Sequence, residues 1–193
     1  MSRDGDERPI YTVGHSTRTI EEFVELLRGA AVQRLVDVRS IPRSRTNPVY
    51  NLDSLPDTLS AFQIRHTIIP ELGGRRNRQK SVAPEVNGFW NNQSFHNYAD
   101  YALSAEFRVG LERLMALSRE ASCAIMCSEA VWWRCHRRII ADYLLLHGRT
   151  VCHIMGNGRI EAAKRTPAAV AEGGVLVYPD APVESVSVPA GTH

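Results

Sequence analysis

Residues 123–148 read CAIMCSEAVWWRCHRRIIADYLLLHG, and the fold turns on how this stretch divides. Cys123 to Cys127 have the length and bulk of a buried central strand. A short loop, SEAVWW, follows, and RCHRRIIADYLLLHG then reads as a helix stopped by Gly148 at the C′ position. Beyond it, TVCHIM at 150–155 is another strand. Strand, helix and strand in this order make one unit of a parallel sheet.

Working outward, the same alternation recurs. PIYTVGHS gives a first strand over residues 10–13, ending at Gly14. Thr19 and Glu22 form a capping-box pattern, and Ile20, Phe23, Leu26, Leu27 and Ala30 recur at helical spacing. RLVDVRS is a second strand, stopped by Pro42, and FQIRHTIIPELGG a third, ending at Pro70. Residues 75–94 show no period and much polarity, which predicts a long loop of the kind that often carries function. FHNYADYALSAEFRVGLERLMALSREA is helical in two pieces broken near Ser104, with Phe107, Leu111, Leu114 and Leu117 as the buried stripe of the second. After Gly156 the pattern weakens: IEAAKRTPAAVAEG suggests a helix broken at Pro167, VLVY an edge strand, and the last dozen residues look loose.

The expected fold class is therefore α/β, a single domain with a mainly parallel sheet of about five strands and helices on both faces. Its expected bounds are an N-terminal tail over 1–9, the α/β domain over 10–156 and a partly ordered extension over 157–193. The chain has 193 residues, 44% hydrophobic and 23% charged, an ordinary globular balance that argues against wholesale disorder. The first ten residues are polar, without a secretory pattern, and the longest apolar run is interrupted by Asp142. A cytoplasmic protein with no membrane partner is expected, its four cysteines free thiols.

In open α/β sheets, ligands bind beyond the carboxyl ends of the strands. His15 and Ser16 follow the first strand here, and Asp37, Arg39 and Ser40 close the second. Glu71, Gly73, Gly74 and Arg75 follow the third, and Cys127, Ser128 and Glu129 the CAIMC strand. A parallel sheet would bring them to one rim. Asp37, between Val36 and Val38, needs a partner such as Arg39 or His15, because an unpaired buried carboxylate is costly. His153, inside a strand pattern, reads as a satisfied core histidine. Residues 34–80 carry nine Arg or Lys against four acids, a local net charge of +5 that accounts for the excess positive charge of the chain, whose total is +2. Arginine suits bidentate recognition of phosphate or carboxylate.

The loop at 127–138 admits several chemistries. The spacing of Cys127 and Cys135 lacks the close pairs of structural zinc sites, and Cys135 and His136, as neighbours on a helix, would diverge by roughly 100°. No metal is therefore expected. A phosphatase-type loop fails on register, since six residues separate Cys127 from Arg134. Arg134, Cys135, His136, Arg137 and Arg138 crowd a helix start, where basic side chains oppose the macrodipole unless an anion relieves them. Glu129 is either a salt-bridge anchor for Arg137 or a general acid/base. Trp132 and Trp133 offer stacking surfaces for a base or sugar, or pack the loop onto the core.

Five segments give the chain a family likeness: TVGHSTRTIEEFVELL, LVDVRSIPRSR, PELGGRR, FHNYADYALSAEF and MCSEAVWWRCHRRIIADYLLLHG. Together they resemble the domain-of-unknown-function family 488 over about residues 10–155. The resemblance implies a single cytoplasmic α/β domain and a shared polar set but no reaction. That set is Gly14, His15 and Ser16; Asp37, Arg39 and Pro42; Leu72, Gly73 and Gly74; and Cys127, Glu129, Cys135, His136 and Arg137. The AVWW between Glu129 and Arg134 departs from the acidic–proline turn of many relatives.

These readings converge on an enzyme with a basic Cys/His/Arg site for a phosphorylated, nucleotide-like or nucleic-acid substrate. Arg39, Arg75 and Arg137 would hold the anion, with Cys127 as nucleophile or polar wall and His15 or His136 as proton carrier. Asp37 and Glu129 complete the catalytic candidates, and Ser16, Ser40, Gly73, Gly74, Trp132, Arg134 and Cys135 the binding ones. The alternatives are a non-catalytic nucleic-acid-binding module and a Cys/His metal protein. No motif specifies a cofactor or an oligomeric state.

Overall fold

The computed structural model describes residues 8–180. The expected tail before residue 8 and the loose last dozen residues lie outside the described residues. Five parallel strands build the sheet: β1 (Ile10–Gly14), β2 (Arg34–Asp37), β3 (Arg65–Ile68), β4 (Cys123–Cys127) and β5 (Val151–Ile154). A sixth, β6 (Ile160–Ala162), pairs antiparallel with β5, giving the order β3-β2-β4-β1-β5-β6. The α/β class and the mainly parallel sheet are thus as expected.

Side chains alternate across this sheet with the period of two that strands impose. Leu35, Ala124 and Met126 enter one core with Phe23, Val24 and Leu27 of α1 (Ile20–Gly29) and Leu55 and Leu59 of α2 (Leu55–Ser60). Val36, Cys123 and Ile125 enter the other, against α3 (Gln93–Tyr101), α4 (Ala105–Glu120) and α5 (Arg137–Leu146). Burial on both faces explains why CAIMC is apolar throughout instead of alternating.

Local signals set most boundaries. Thr19 and Glu22 close their capping box on α1, worth about 1 kcal/mol. Ser104 breaks the helical run because its hydroxyl caps α4 at the Phe107 N–H. Gly148 ends α5 at φ +74, a left-handed conformation that favours glycine. In α4, Phe107, Leu111 and Leu114 are buried and Leu117 only partly so.

Two expectations change, and one helix had no sequence reading. α2 was not legible as a helix: six residues containing Pro56 are too short to show a period. The helix expected over 160–173 is instead β6 followed by β7 (Val170–Glu172). The open edge of β5 offers Ile160–Ala162 ladder hydrogen bonds, and that pairing outweighs alanine's helix propensity. VLVY is a strand, β8 (Val175–Val177), but it pairs with β7 in a separate hairpin and not with the main sheet. Leu176 and Tyr178 carry this hairpin into the second core, where the Tyr178 hydroxyl donates to Asp142. No helix among the described residues is long and apolar enough to cross a membrane.

Candidate functional site

The carboxyl ends of β1, β2 and β4 are stitched together by backbone hydrogen bonds. The His15 N–H donates to the Cys127 carbonyl at 3.0 Å, that of Ser16 to Ser128 at 3.0 Å, and that of Val38 to Met126 at 3.1 Å. Gly14 permits the approach, since a Cβ there would lie 1.9 Å from the Glu129 carbonyl oxygen. The rim expected from strand order is thus present.

Its β2 side is a closed ion pair. Asp37 is fully buried and accepts from Arg39 at three points: Nη2 at 2.6 Å, Nε at 2.9 Å and the backbone N–H at 3.0 Å. Arg39 Nη2 also reaches the Tyr50 carbonyl at 2.8 Å, and His66 Nε2 stands 3.4 Å from Asp37. Burial pushes the Asp37 carboxyl up, but His66 and Arg39 pull it below its usual value. His15 stacks on Tyr50 with ring centroids 4.1 Å apart. Its Nδ1 donates to the Ser16 carbonyl, leaving the Nε2 lone pair for Arg39 Nη1 at 3.4 Å. Burial above all, with Arg39 and Arg137 nearby, lowers His15 to about 4, so the ring is neutral near pH 7.

The β4 side is built from sulfur and imidazole. After β4, a 3-10 turn over Trp132–Arg134 leads to Cys135 in extended conformation (φ −129, ψ 149), and α5 begins only at Arg137. The helical divergence expected for Cys135 and His136 therefore does not apply. Their side chains converge: His136 Nδ1 lies 3.5 Å from Cys135 Sγ and 4.0 Å from Cys127 Sγ. His136 Nε2 donates to the Val38 carbonyl at 2.9 Å, which turns Nδ1 toward the two sulfurs. Gly74 lies against the ring, where a Cβ would be 2.3 Å from Nδ1.

Arg137 sits behind this cluster, 1% exposed, without a carboxylate partner among the described residues. Its Nη2 donates to the Glu129 backbone carbonyl at 2.6 Å and its Nε to Cys135 Sγ at 3.3 Å. The anticipated Glu129 carboxylate anchor is thus a backbone contact. Burial raises the Cys135 thiol, but a hydrogen bond from Cys127 and the Arg137 cation overcome it, bringing Cys135 to about 6. Cys127 moves the opposite way, to about 12, through that same bond and then burial. The two sulfurs are thus pushed in opposite directions, Cys135 toward the thiolate and Cys127 toward the thiol. All four cysteines are free.

A cleft of about 750 Å³ opens over both sides. Of the residues expected at the site, His15, Arg39, Ser40, Gly74, Arg75, Cys127, Glu129, Arg134, Cys135 and His136 line it. Five do not. Asp37 is buried beneath Arg39, and Arg137 behind Cys135. Gly73 packs on Ser40, where a Cβ would meet Oγ at 2.7 Å. Ser16 turns away at φ +49, its N–H bonded to Ser128. Trp132 stacks on His153 at 4.2 Å and offers no platform to the cleft. His153 itself is a core histidine, bonded to Thr12 at 2.7 Å.

Sequence reasoning missed part of the lining: Ile41, Ser44, Asn77, Asn92, Ser94 and Phe95. The aperiodic loop at 75–94 hinted at Asn77, Asn92 and Ser94 alone. Arg43 and Arg76 complete the basic lining; Arg76 is held by the Gly73 and Pro70 carbonyls and lies 3.7 Å over the Tyr101 ring.

A doubly covered parallel sheet with a basic, sulfur-floored cleft at its strand ends defines the class, an α/β protein with a polar cleft at the rim of its sheet. Residues 19–144 match the domain of unknown function DUF488, and the chain belongs to that family. No curated protein and no solved structure matches the chain.

Proposed function

We propose that this chain is an enzyme acting on a phosphate-bearing small molecule of nucleotide-like size. The observation that carries this reading is a cleft of about 750 Å³ in which the exposed Arg75 and Arg134 share a lining with Cys127, Cys135 and His136. That volume suits a small ligand. Glu129 is the one carboxylate lining it among the described residues, against Arg39, Arg43, Arg75, Arg76 and Arg134. The arginines are the binding end and the sulfur–imidazole floor the reacting end, with Glu129 placed at the rim for proton transfer. Asp37 and His15 position Arg39, since both are committed to it or to backbone.

A nucleic-acid module would use Trp132 or Trp133 as a stacking platform. Neither lines the cleft, and Trp132 is occupied by His153. That favours the small ligand.

Calorimetric titration with inorganic pyrophosphate and ATP tests the reading. Binding that weakens with salt is expected, and Arg75→Ala or Arg134→Ala should each reduce affinity about tenfold to a hundredfold. Absence of binding to either anion, or affinity indifferent to both substitutions, would overturn it.

A further inference from the structure

We propose that Cys127, Cys135 and His136 form a three-ligand site for a zinc-class divalent ion, with a fourth coordination position open to the cleft. The claim goes beyond the phosphate reading and does not depend on it, because it rests on the three donor atoms alone.

Those atoms, two Sγ and one Nδ1, all lie within 4.8 Å of one another. A tetrahedral ion with Zn–S about 2.3 Å and Zn–N about 2.0–2.1 Å holds its ligand atoms roughly 3.5–3.8 Å apart. The two sulfur–nitrogen separations here are 3.5 and 4.0 Å, so small side-chain adjustments bring all three donors onto one ion. Among the described residues this is the one group of three such donors brought together.

The donors are also oriented for the task. A histidine ligand ordinarily gives its other ring N–H to a carbonyl or carboxylate, which fixes the tautomer. His136 Nε2 does so to Val38 at 2.9 Å, and Gly74 leaves the ring no lateral space on its side. Arg137 holds Cys135 Sγ at 3.3 Å and would draw electron density from that ligand, making the ion a stronger Lewis acid.

Thiolate and imidazole donors select zinc or similar first-row ions over magnesium and calcium. Three protein ligands with an open side are the arrangement of a reactive site, whereas a structural zinc site is closed by four. The open side here is the cleft, since all three residues line it. The spacing gave no sign of this, because one donor ends β4 and the other two sit on a bend that no sequence pattern marks.

The test uses the full chain, purified under reducing conditions, stripped with a chelator and titrated with Co²⁺. One equivalent is expected to produce thiolate-to-cobalt charge-transfer absorption with intense visible ligand-field bands, both abolished by added Zn²⁺. Cys127→Ser, Cys135→Ser and His136→Gln should each weaken Co²⁺ binding at least tenfold, whereas Cys152→Ser should leave it unchanged. Circular dichroism establishes that each variant is folded; should one fail to fold, cadmium NMR on the wild-type protein reads the sulfur donors directly. Wild-type protein with titratable thiols and no charge-transfer band would overturn the proposal. A Cys127–Cys135 disulfide that forms in air and persists in the presence of Zn²⁺ would overturn it equally. Arg75→Ala and Arg134→Ala should retain the cobalt spectrum, so failure of the metal site and failure of the anion site are separately visible.

Discussion

Two buried arginines, one just past β2 and one at the head of the helix that follows β4, solve the same electrostatic problem differently. At the end of β2, Arg39 is balanced by Asp37 at 2.6 Å, and every strong donor is spent inside the protein. At the head of α5, Arg137 faces only a carbonyl and the sulfur of Cys135 at 3.3 Å. A carboxylate neutralises a buried cation and is then finished; a cysteine sulfur beside one is drawn toward the thiolate and keeps lone pairs for other partners. One rim is closed by an ion pair, the other holds two sulfurs and an imidazole, and they share the Val38 segment: its N–H binds Met126 and its carbonyl holds His136.

The difference can be broken most severely at Asp37. Asp37→Ala strands the Arg39 cation in the interior and should cost about 3–5 kcal/mol in urea denaturation. The double variant Asp37→Ala/Arg39→Met should recover much of that loss. A single-variant cost below about 1 kcal/mol would mean that the β2 rim is no more structural than the β4 rim.

A second, smaller effect reads the packing of the β4 loop through pH. Trp132, in the β4 loop, rests on His153, which burial first and Arg137 second lower to about 4. Its unfolded value is near 6.5, so between these limits the unfolded chain binds more protons than the folded one. Stability from this group is full above about pH 6.5 and falls as pH drops toward 4, by on the order of 3 kcal/mol. Denaturation midpoints followed across that range should fall more gently in His153→Phe, which keeps the stack. Equal slopes would show that His153 is charged in the native state.

The mildest intervention acts at Gly74. An alanine Cβ would press on His136 at 2.3 Å, displacing the imidazole at about 1–3 kcal/mol. Gly29→Ala, with nothing within 4 Å, is the control and should be neutral or slightly stabilising. Imidazole NMR shifts that move in the first variant and not the second would support the role of Gly74; identical behaviour would deny it.

How much of this was readable in advance depended on range. The Thr19–Glu22 box, the Ser104 break and the Gly148 stop lie within a few residues of what they control, and each was legible. Likewise, Asp37 between two valines announced a partner, and Arg39 is two residues away. A helix extended back through Cys135 misses its convergence with His136, because Cys135 is extended and the helix begins only at Arg137, with His136 as its N-cap. Trp132 was offered to a ligand because nothing local reveals His153, twenty-one positions on, lying flat against it. The segment at 160–162 shows the same limit, since β6 exists only because the edge of β5 is there to be paired.

From the sequence alone came the α/β class, five of the six sheet strands and the identity of the rim, because hydrophobic period and strand-end polarity are properties of contiguous residues. Tertiary structure alone decided which sulfur meets which nitrogen. Val38, 98 positions from His136, sets the tautomer, and Gly74 from a third loop sets the ring's place. The direction of a side chain on a non-repeating backbone has no periodic signature. It is fixed by whichever distant groups pack and hydrogen-bond around it.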